Sequence, residues 1–407
     1  MLSIILIYKT ILVRRVRYKS IIMKKRLRKF FLSFVVFLLL CCIGIIGAVE
    51  YWSHTEAGKV PVKTAVLLHA VDQRLVTSDM KAPKIFSSSG SPSYTRTTTS
   101  IPMTDGEEIP IRIYQPKKEG PHPIIIYYHG GAFLEGYGNI NTHDNIVRAL
   151  ASKTQNIVIS VGYRLAPAHP FPTATEDSYE ALLWAFQHAS SFNGDPSKIA
   201  VAGDSAGGNL ATVVTMMARD LNGPSITSQA LFYPLTTFQD VTFSSRSLYD
   251  SGYYLISRSV MEKARKNYTP EENMWSNPYT SPLDAQNLHD LPPALIITAE
   301  FDPLRDEGEA YGKVLAESGT PVNAVRYNGV MHGFVSFYEV MNRGKDALDK
   351  ASLYLTESFQ QQPEYQAYQL DIYDNQPALE SLQDRGEAYA IGGYLLGKQA
   401  ISKISSW

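Results

Sequence analysis

The strongest constraint on the fold is an alternation of short apolar runs and amphipathic helical patterns, which begins near residue 109 and continues to residue 329. The apolar runs have the length of buried strands, and the helical patterns between them supply cover for both faces of a sheet. The sequence therefore predicts an α/β fold with a mostly parallel central sheet flanked by helices. The predicted strands lie at 109–116, 122–133, 155–165, 198–203, 228–235, 293–301 and 322–329, and the predicted helices at 174–190, 206–221 and 306–319.

An aromatic-rich insertion interrupts this alternation between residues 236 and 291. It is too long for a plain connection, and insertions of this kind often cover a site. We predict a helical cap from residues 236–291, with residues 50–90 as a second contribution. Five of its aromatic residues are candidates either for the cap core or for the lining of a pocket: Phe238, Phe243, Tyr249, Tyr253 and Tyr254.

The N-terminal segment differs from the rest of the chain in charge and hydropathy. Residues 1–49 contain ten basic residues and no acidic one, and residues 30–49 read FFLSFVVFLLLCCIGIIGAV. Twenty apolar residues span a bilayer, and the basic flank favours a cytoplasmic N-terminus with the remainder on the far side. A secreted protein with a cleaved signal peptide is the alternative, and the start codon is either Met1 or Met23.

Charge and cysteine content exclude several functions for the remaining residues. All 39 acidic residues follow the basic segment, so the body is acidic and lacks the basic surface that nucleic-acid binding requires. Both cysteines, Cys41 and Cys42, lie in the apolar segment. The body therefore has no cysteine for a thiol nucleophile or a Cys-rich zinc site.

The stretch AVAGDSAGGNLA, residues 200–211, places Ser205 between an apolar strand and a predicted helix. A serine in a tight strand–turn–helix connection is a nucleophile elbow, and Gly203 and Gly207 remove side chains that would clash in that turn. The hydroxyl then projects above the carboxyl ends of the strands, beside a helix N-terminus. Ser205 is therefore our candidate nucleophile.

A serine nucleophile needs a histidine base and an acid, which follow it in the chain in this type of fold. Only His289 and His332 follow Ser205, and His332 lies in a loop just beyond the last predicted strand. Asp302 directly follows another strand, and Glu300 is its strongest rival as the acid. We predict His332 as the base and Asp302 as the acid, because both lie at the carboxyl ends of strands.

Backbone N–H groups near Ser205 are candidates for an oxyanion hole. The stretch HGGAF, residues 129–133, follows a central strand, and its two glycines allow N–H groups to turn toward the site. Gly130, Gly131 and Ala132 are the candidate donors in this loop, with Ala206 as the donor after the nucleophile. His129 precedes the serine and is expected to fix the loop rather than to transfer protons.

Six motifs in order resemble the hormone-sensitive-lipase-like branch of the α/β-hydrolases, which includes bacterial esterases and arylacetamide deacetylase. The resemblance runs from about residue 101 to residue 355 and includes YYHGGAF, YRLAPAHPFP, GDSAGG, SPL, LPPALIITAEFDPLRDEGEAY and MHGF. In that family the serine, aspartate and histidine of these motifs form the triad, which corresponds to Ser205, Asp302 and His332. The third glycine often found in HGGG is Ala132 here, and Arg164 is expected to be structural.

The resemblance implies a serine hydrolase that cleaves short- to medium-chain carboxylic esters without a cofactor or metal. Amide hydrolysis by the same triad is the alternative, and a non-catalytic small-molecule binding protein is a third hypothesis. The expected organisation is a basic cytoplasmic segment (1–29), a transmembrane anchor (30–49), an α/β-hydrolase domain with its cap (50–359) and a C-terminal extension (360–407). Expected partners are an ester substrate, the membrane and a second copy in a homodimer, but not nucleic acid.

The C-terminal extension contains one helical pattern, from residue 378 to residue 401. An amphipathic helix there is expected to dock on the body, on a second copy or on the membrane surface. A partly ordered tail is the alternative.

Overall fold

The computed structural model describes the backbone of residues 2–73, 75, 93–239, 241–361, 363–374 and 377–405, and side chains from residue 22 to residue 401 within those ranges. The chain divides into two compact units. One combines Met1–Val66 with Ala378–Trp407, and the other is Leu67–Pro377.

The strands are β1 (His54–Thr55), β2 (Gly58–Lys59), β3 (Tyr94–Pro102), β4 (Glu108–Pro116), β5 (His122–Tyr128), β6 (Ile157–Val161), β7 (Gly194–Asp204), β8 (Ser228–Phe232), β9 (Ala294–Phe301), β10 (Val322–Met331) and β11 (Leu370–Tyr373). The helices are α1 (Leu2–Trp52), α2 (Val62–Asp72), α3 (Asp144–Thr154), α4 (Thr173–His188), α5 (Ala206–Asp220), α6 (Ser244–Leu248), α7 (Arg258–Tyr268), α8 (Arg305–Glu317), α9 (Asn342–Ser358) and α10 (Ala378–Ser405). Short 3₁₀ turns lie at Ala189–Phe192, Glu272–Met274, Pro282–Asp284 and Phe334–Phe337.

The larger unit is built on a nine-stranded sheet in the order β11-β10-β9-β8-β7-β5-β6-β4-β3. The pairs β3–β4 and β4–β6 are antiparallel, and the other neighbours are parallel. Strands β6 and β8 are buried at every position, as expected for strands that helices cover on both faces. The predicted α/β-hydrolase fold, with its mostly parallel sheet and flanking helices, is confirmed.

Four strands and α-helices of the larger unit were not predicted: β3, α3, α9 and β11. Strand β3 is rich in threonine and mostly exposed at the antiparallel edge of the sheet, so it lacks the apolar pattern of a buried strand. Strand β11 is a short exposed strand at the other edge. The predicted extension, residues 360–407, is therefore divided, because β11 belongs to the larger unit and α10 to the smaller one.

The insertion at residues 236–291 contains α6, α7 and two 3₁₀ turns. A buried ion pair connects it to the sheet domain: Arg246 Nε donates to Glu307 Oε2 at 2.6 Å, and the Thr236 N–H donates to Glu307 Oε1 at 2.8 Å. The Glu307 side chain is fully buried, and burial raises the pKa of its carboxyl despite the neighbouring Arg246. A contribution of residues 50–90 to the cap stays a prediction, because residues 74 and 76–92 lie outside the described part.

The smaller unit contains α1, of which Ile22–Trp52 is long and apolar enough to cross a membrane. A signal sequence near the N-terminus can have the same length and composition. Many large apolar side chains of this helix are exposed, among them Phe30, Leu40 and Ile43. The predicted C-terminal helix is present as α10, and it packs against α1.

We predict that Arg246→Ala destabilises the larger unit by about 3–5 kcal/mol at neutral pH, because it leaves the Glu307 carboxylate buried without its charge partner. The pKa of Glu307 is already raised, so protonation favours the folded state and the loss should shrink as the pH falls. The measurement is urea unfolding of the full chain at neutral and mildly acidic pH.

The matched control is Arg258→Ala, which removes an exposed arginine from its pair with Asp250 in the same insertion. We expect a loss within about 1 kcal/mol there. Equal losses for the two variants would show that the buried pair does not hold the cap.

Candidate active site

Ser205 lies in the turn between β7 and α5 with φ 55° and ψ −120°. A non-glycine residue with positive φ is strained, so the surrounding packing must impose this conformation. A Cβ at Gly203 would overlap the Gly207 carbonyl, and a Cβ at Gly207 would overlap the carbonyl of Tyr128 in β5. Both glycines are therefore required for the turn to sit this close to the sheet.

Three side chains from the ends of different strands form a hydrogen-bonded chain. His332 Nε2 lies 3.0 Å from Ser205 Oγ, and His332 Nδ1 lies 2.8 Å from Asp302 Oδ2. Asp302 is fully buried, and its other oxygen accepts the Leu304 N–H at 2.8 Å. Ser205 and His332 are 8% and 7% exposed. The structure thus brings together the three residues that the sequence singled out.

The rival residues have other partners. Glu300 Oε2 accepts the Gly329 N–H at 2.7 Å, which directs this carboxylate to the irregular stretch of β10 between Tyr327 and Met331 rather than to His332. His289 is exposed, and its Nδ1 lies 2.8 Å from the Ser318 carbonyl oxygen. Arg164 forms an ion pair with the buried Asp177, in keeping with the expected structural role.

An aromatic side chain packs against the imidazole of His332. The ring of Tyr233, in the residue after β8, lies 4.8 Å from the His332 ring, and Phe334 packs against the other ring, that of Tyr233, at 5.8 Å. Tyr233 and Phe334 are fully buried. The contact with Tyr233 restricts the rotation of His332, and sequence reasoning did not assign this role to Tyr233. The only signal was its place at the carboxyl end of a buried strand.

The loop after β5 supplies N–H groups near the nucleophile, but not all of the predicted ones. The Gly130 N–H donates to Asp204 Oδ1 at 2.9 Å, so it is occupied within the protein. In the described part of the chain, the N–H groups of Gly131, Ala132 and Ala206 have no protein partner. The predicted set of oxyanion donors is therefore reduced to these three residues, and Gly130 is removed from it.

The conformation of this loop depends on three consecutive residues with positive φ. Gly131 has φ 125°, Ala132 has φ 55° and Phe133 has φ 61°. A Cβ at Gly131 would meet the Gly138 nitrogen at 2.6 Å, so only glycine fits there. Ala132 adopts its positive φ as an alanine, which shows that the third position of the motif does not require glycine.

Asp204, directly before the nucleophile, connects the oxyanion loop to the elbow. Its Oδ1 accepts the Tyr127 hydroxyl at 2.6 Å as well as the Gly130 N–H, and its Oδ2 lies 3.2 Å from His143 Nε2. All these groups are buried. Sequence reasoning missed Asp204, Tyr127 and His143, because their partners lie on separate segments and form no local pattern.

Two buried histidines near Asp204 have pKa values shifted in opposite directions. Burial alone would lower the pKa of His143, but the Asp204 carboxylate beside it raises that pKa above the usual value. Burial and the neighbouring His143 lower the pKa of His129 to about 3, so His129 is neutral. His129 stacks on Tyr163 at 4.2 Å, and the Tyr163 hydroxyl donates to the His129 carbonyl at 2.6 Å. His129 therefore fixes the loop, as expected.

The assembled groups have the chemistry of nucleophilic catalysis. An imidazole contacts a hydroxyl, a buried carboxylate orients the imidazole, and three N–H groups have no protein partner. Among the residues that the structure describes, no group of three or more His, Cys, Asp or Glu side chains is arranged to hold a metal ion.

Comparison with known proteins gives consistent matches. A family model described as the alpha/beta hydrolase fold matches residues 125–336, just over half of the chain. Carboxylic ester hydrolase LipN of Mycobacterium tuberculosis is 42% identical over 250 residues, which cover 60% of this chain and 65% of that protein. Carboxylesterase NlhH of the same species is 40% identical over 255 residues, covering 60% and 79%. A solved Pyrobaculum calidifontis esterase structure is 41% identical, with a TM-score of 0.62 and coverage of 65% of this chain and 85% of that one.

We predict that His143→Gln lowers the free energy of unfolding by about 1–3 kcal/mol in mildly acidic solution, because glutamine retains a donor but not the charge that faces Asp204. The pKa of folded His143 is raised, so its contribution is complete below the pKa of the unfolded histidine and is lost as the pH rises through the folded value. The difference between the two proteins should therefore narrow with increasing pH, as urea unfolding at several pH values would measure.

The matched control is His289→Gln, at an exposed histidine. We expect this variant to change the free energy of unfolding only slightly. A difference between wild type and His143→Gln that stays constant with pH would contradict the charged pair.

Proposed function

Because the chain belongs to the α/β-hydrolase fold family, in its hormone-sensitive-lipase-like branch, we propose that it is a serine carboxylesterase whose catalytic residues are Ser205, His332 and Asp302. The observation that carries the proposal is the continuous hydrogen-bonded chain from Ser205 Oγ through both nitrogens of His332 to Asp302. The relatives named above as ester hydrolases support the same reaction class.

The reaction begins when His332 Nε2 takes the proton of Ser205 Oγ, and this oxygen attacks the carbonyl carbon of the ester. His332 then gives the proton to the departing alkoxide, which leaves as an alcohol, and the acyl group remains on Ser205. A water molecule deprotonated by His332 attacks the acyl-enzyme, and the acid is released as the Ser205 hydroxyl re-forms. Asp302 stabilises the imidazolium in both steps and keeps the imidazole in the productive tautomer.

The tetrahedral intermediates carry a negative oxygen, and the N–H groups of Gly131, Ala132 and Ala206 are the proposed donors to it. Ala206 is the first residue of α5, so the positive end of that helix faces the same oxygen. Each donor of this kind contributes about 3 kcal/mol of transition-state stabilisation in serine hydrolases.

Aromatic packing next to the oxyanion loop supports a preference for short to medium acyl chains. Phe133, the residue after Ala132, stacks on Tyr268 of α7 with ring centroids 4.0 Å apart, and Phe238 packs against both rings. Phe133 and Tyr268 are fully buried. A long acyl chain would have to displace this cluster, which connects the cap to the loop.

The proposed setting is a membrane. The apolar length of α1 and its basic flank support an anchor at residues 30–49, with residues 1–29 in the cytoplasm and the hydrolase domain on the far side. Residues 50–359 contain the proposed catalytic domain, and residues 360–407 are its extension.

We predict that Asp302→Asn lowers kcat toward p-nitrophenyl acetate by about 10⁴-fold, because asparagine holds His332 in the wrong tautomer. Ser205→Ala should lose at least as much. Glu300→Gln is the matched control, since it neutralises a carboxylate two residues away that does not contact His332, and its kcat should stay near that of the wild type.

Steady-state kinetics of the full chain in detergent measure all three variants. Activity retained by Ser205→Ala, or equal losses in Asp302→Asn and Glu300→Gln, would refute the proposed triad. If the folded wild-type protein leaves every ester intact but cleaves anilides, the proposed activity would be that of an amidase and not of an esterase.

For the acyl preference, we predict that kcat/KM across p-nitrophenyl esters from acetate to palmitate is highest for short and medium chains. Tyr268→Ala should move this optimum toward longer chains, because it removes the ring that stacks on Phe133. Tyr365→Ala, at an exposed tyrosine, should leave the optimum in place. The readout is the ratio of kcat/KM between a long-chain and a short-chain ester, because this ratio does not depend on the fraction of protein that is folded. If Tyr268→Ala leaves the ratio unchanged, this cluster does not line the acyl pocket.

A further inference from the structure

Helix α10 crosses α1 in an antiparallel sense, and the α10 backbone at two glycines lies against side chains of α1. A Cβ on Gly392 would lie 2.5 Å from Val49 Cγ2, and a Cβ on Gly393 would lie 3.0 Å from Ile45 Cδ1. The Tyr389 hydroxyl, one turn earlier, lies 3.0 Å from Glu50 Oε1. Residues of increasing number along α10 thus contact residues of decreasing number along α1, so the two helices are antiparallel. The glycine pair allows them to approach closely.

The charged half of α10 is held at the end of α1. Lys63 Nζ lies 2.7 Å from Asp384 Oδ1 and 2.6 Å from Glu387 Oε2, and its side chain is only 6% exposed. Arg385 Nη2 lies 3.7 Å from Glu50 Oε1. All these charges precede Gly392, and Lys398 is the only charged residue between Ala388 and Ile401.

The second half of α10 exposes an apolar stripe. Ala390, Tyr394, Gly397 and Ile401 are exposed at helical spacing, whereas Ala388 and Leu395 are buried on the opposite side. Tyr394 is 68% exposed and Ile401 is 70% exposed. Large apolar side chains at such positions are unfavourable in water unless another apolar phase covers them.

The crossing point fixes the depth of α10 relative to α1. Ile45 lies four residues inside the end of the apolar run at Val49, which is about 6 Å along a helix axis. If residues 30–49 span the hydrocarbon core of a bilayer, the α10 backbone beside Ile45 lies about 6 Å inside that core. The apolar stripe begins at this level, and the charged half of α10 lies on the other side of the crossing.

We propose that α10 is a second membrane-binding element, whose stripe of Ala390, Tyr394, Gly397 and Ile401 inserts into the leaflet on the side of the hydrolase domain, next to α1. This inference rests on the membrane anchor proposed above. Tyr394 supplies an aromatic ring suited to the membrane interface.

The test uses the full chain in phosphatidylcholine vesicles that contain spin-labelled lipid as a fluorescence quencher. In a Cys41→Ala, Cys42→Ala background, an environment-sensitive fluorophore is attached to Tyr394→Cys or Ile401→Cys. Arg385→Cys is the matched control on the charged half of α10, where the side chain is 58% exposed. We expect blue-shifted emission, quenched by the lipid label and protected from iodide, at 394 and 401 but not at 385.

Iodide quenching at 394 and 401 equal to that at 385, without quenching by the lipid, would overturn the proposal. Protection without lipid quenching that increases with the protein-to-lipid ratio would also overturn it, since a second copy then covers the stripe. Labels on the native Cys41 and Cys42, which are exposed on α1, test the anchor separately. If the lipid label quenches fluorophores at Cys41 and Cys42 but not at 394 and 401, only the inference about α10 is refuted. If it does not quench fluorophores at Cys41 and Cys42, the proposed anchor itself is refuted.

Discussion

The strained turn at Ser205 is the constraint on which the rest of the site depends. Its positive φ costs about 1–3 kcal/mol and persists because the surrounding packing leaves no alternative. Gly207 lies against the carbonyl of Tyr128 in β5, and the Ser205 N–H donates to the Phe232 carbonyl of β8 at 2.9 Å. The turn therefore requires β5, β7 and β8 to be neighbours, and the same neighbours bring the oxyanion loop beside the nucleophile.

The carboxylate of Asp204 affects the pKa values of the buried groups next to that turn. Asp204 is buried with Tyr127, the Gly130 N–H and His143, and the opposite charge of His143 holds the pKa of Asp204 below its usual value although burial acts to raise it. His129, which lies 5.6 Å from His143 between ring centroids, is neutral in the same surroundings. The Asp204 carboxylate thus favours protonation of His143, and its hydrogen bond with the Gly130 N–H fixes the loop that would bind the oxyanion.

The fold and the three residues of the proposed triad could be predicted because each signal is local. Ser205, Asp302 and His332 directly follow apolar strands, so the rule that parallel strands end at one edge of the sheet brings them together. The contacts of Asp204 and Glu307 could not be predicted in this way, because their partners lie on segments far apart in sequence. Glu307 also lies in the first turn of α8, where an acidic residue is expected because it stabilises the helix dipole. Its position in the sequence therefore gives no sign of the buried pair with Arg246.

The packing of α10 on α1 also determines when the smaller unit can be completed. Lys63 and Asp384 are 321 residues apart, so the contact cannot form until almost the entire chain has been synthesised. The intervening segment contains the hydrolase domain, which has its own core and can fold first. Closing so long a loop costs little more than closing a short one, since each doubling of length adds about 0.6 kcal/mol. Assembly of the smaller unit therefore follows synthesis of the segment that contains the hydrolase domain.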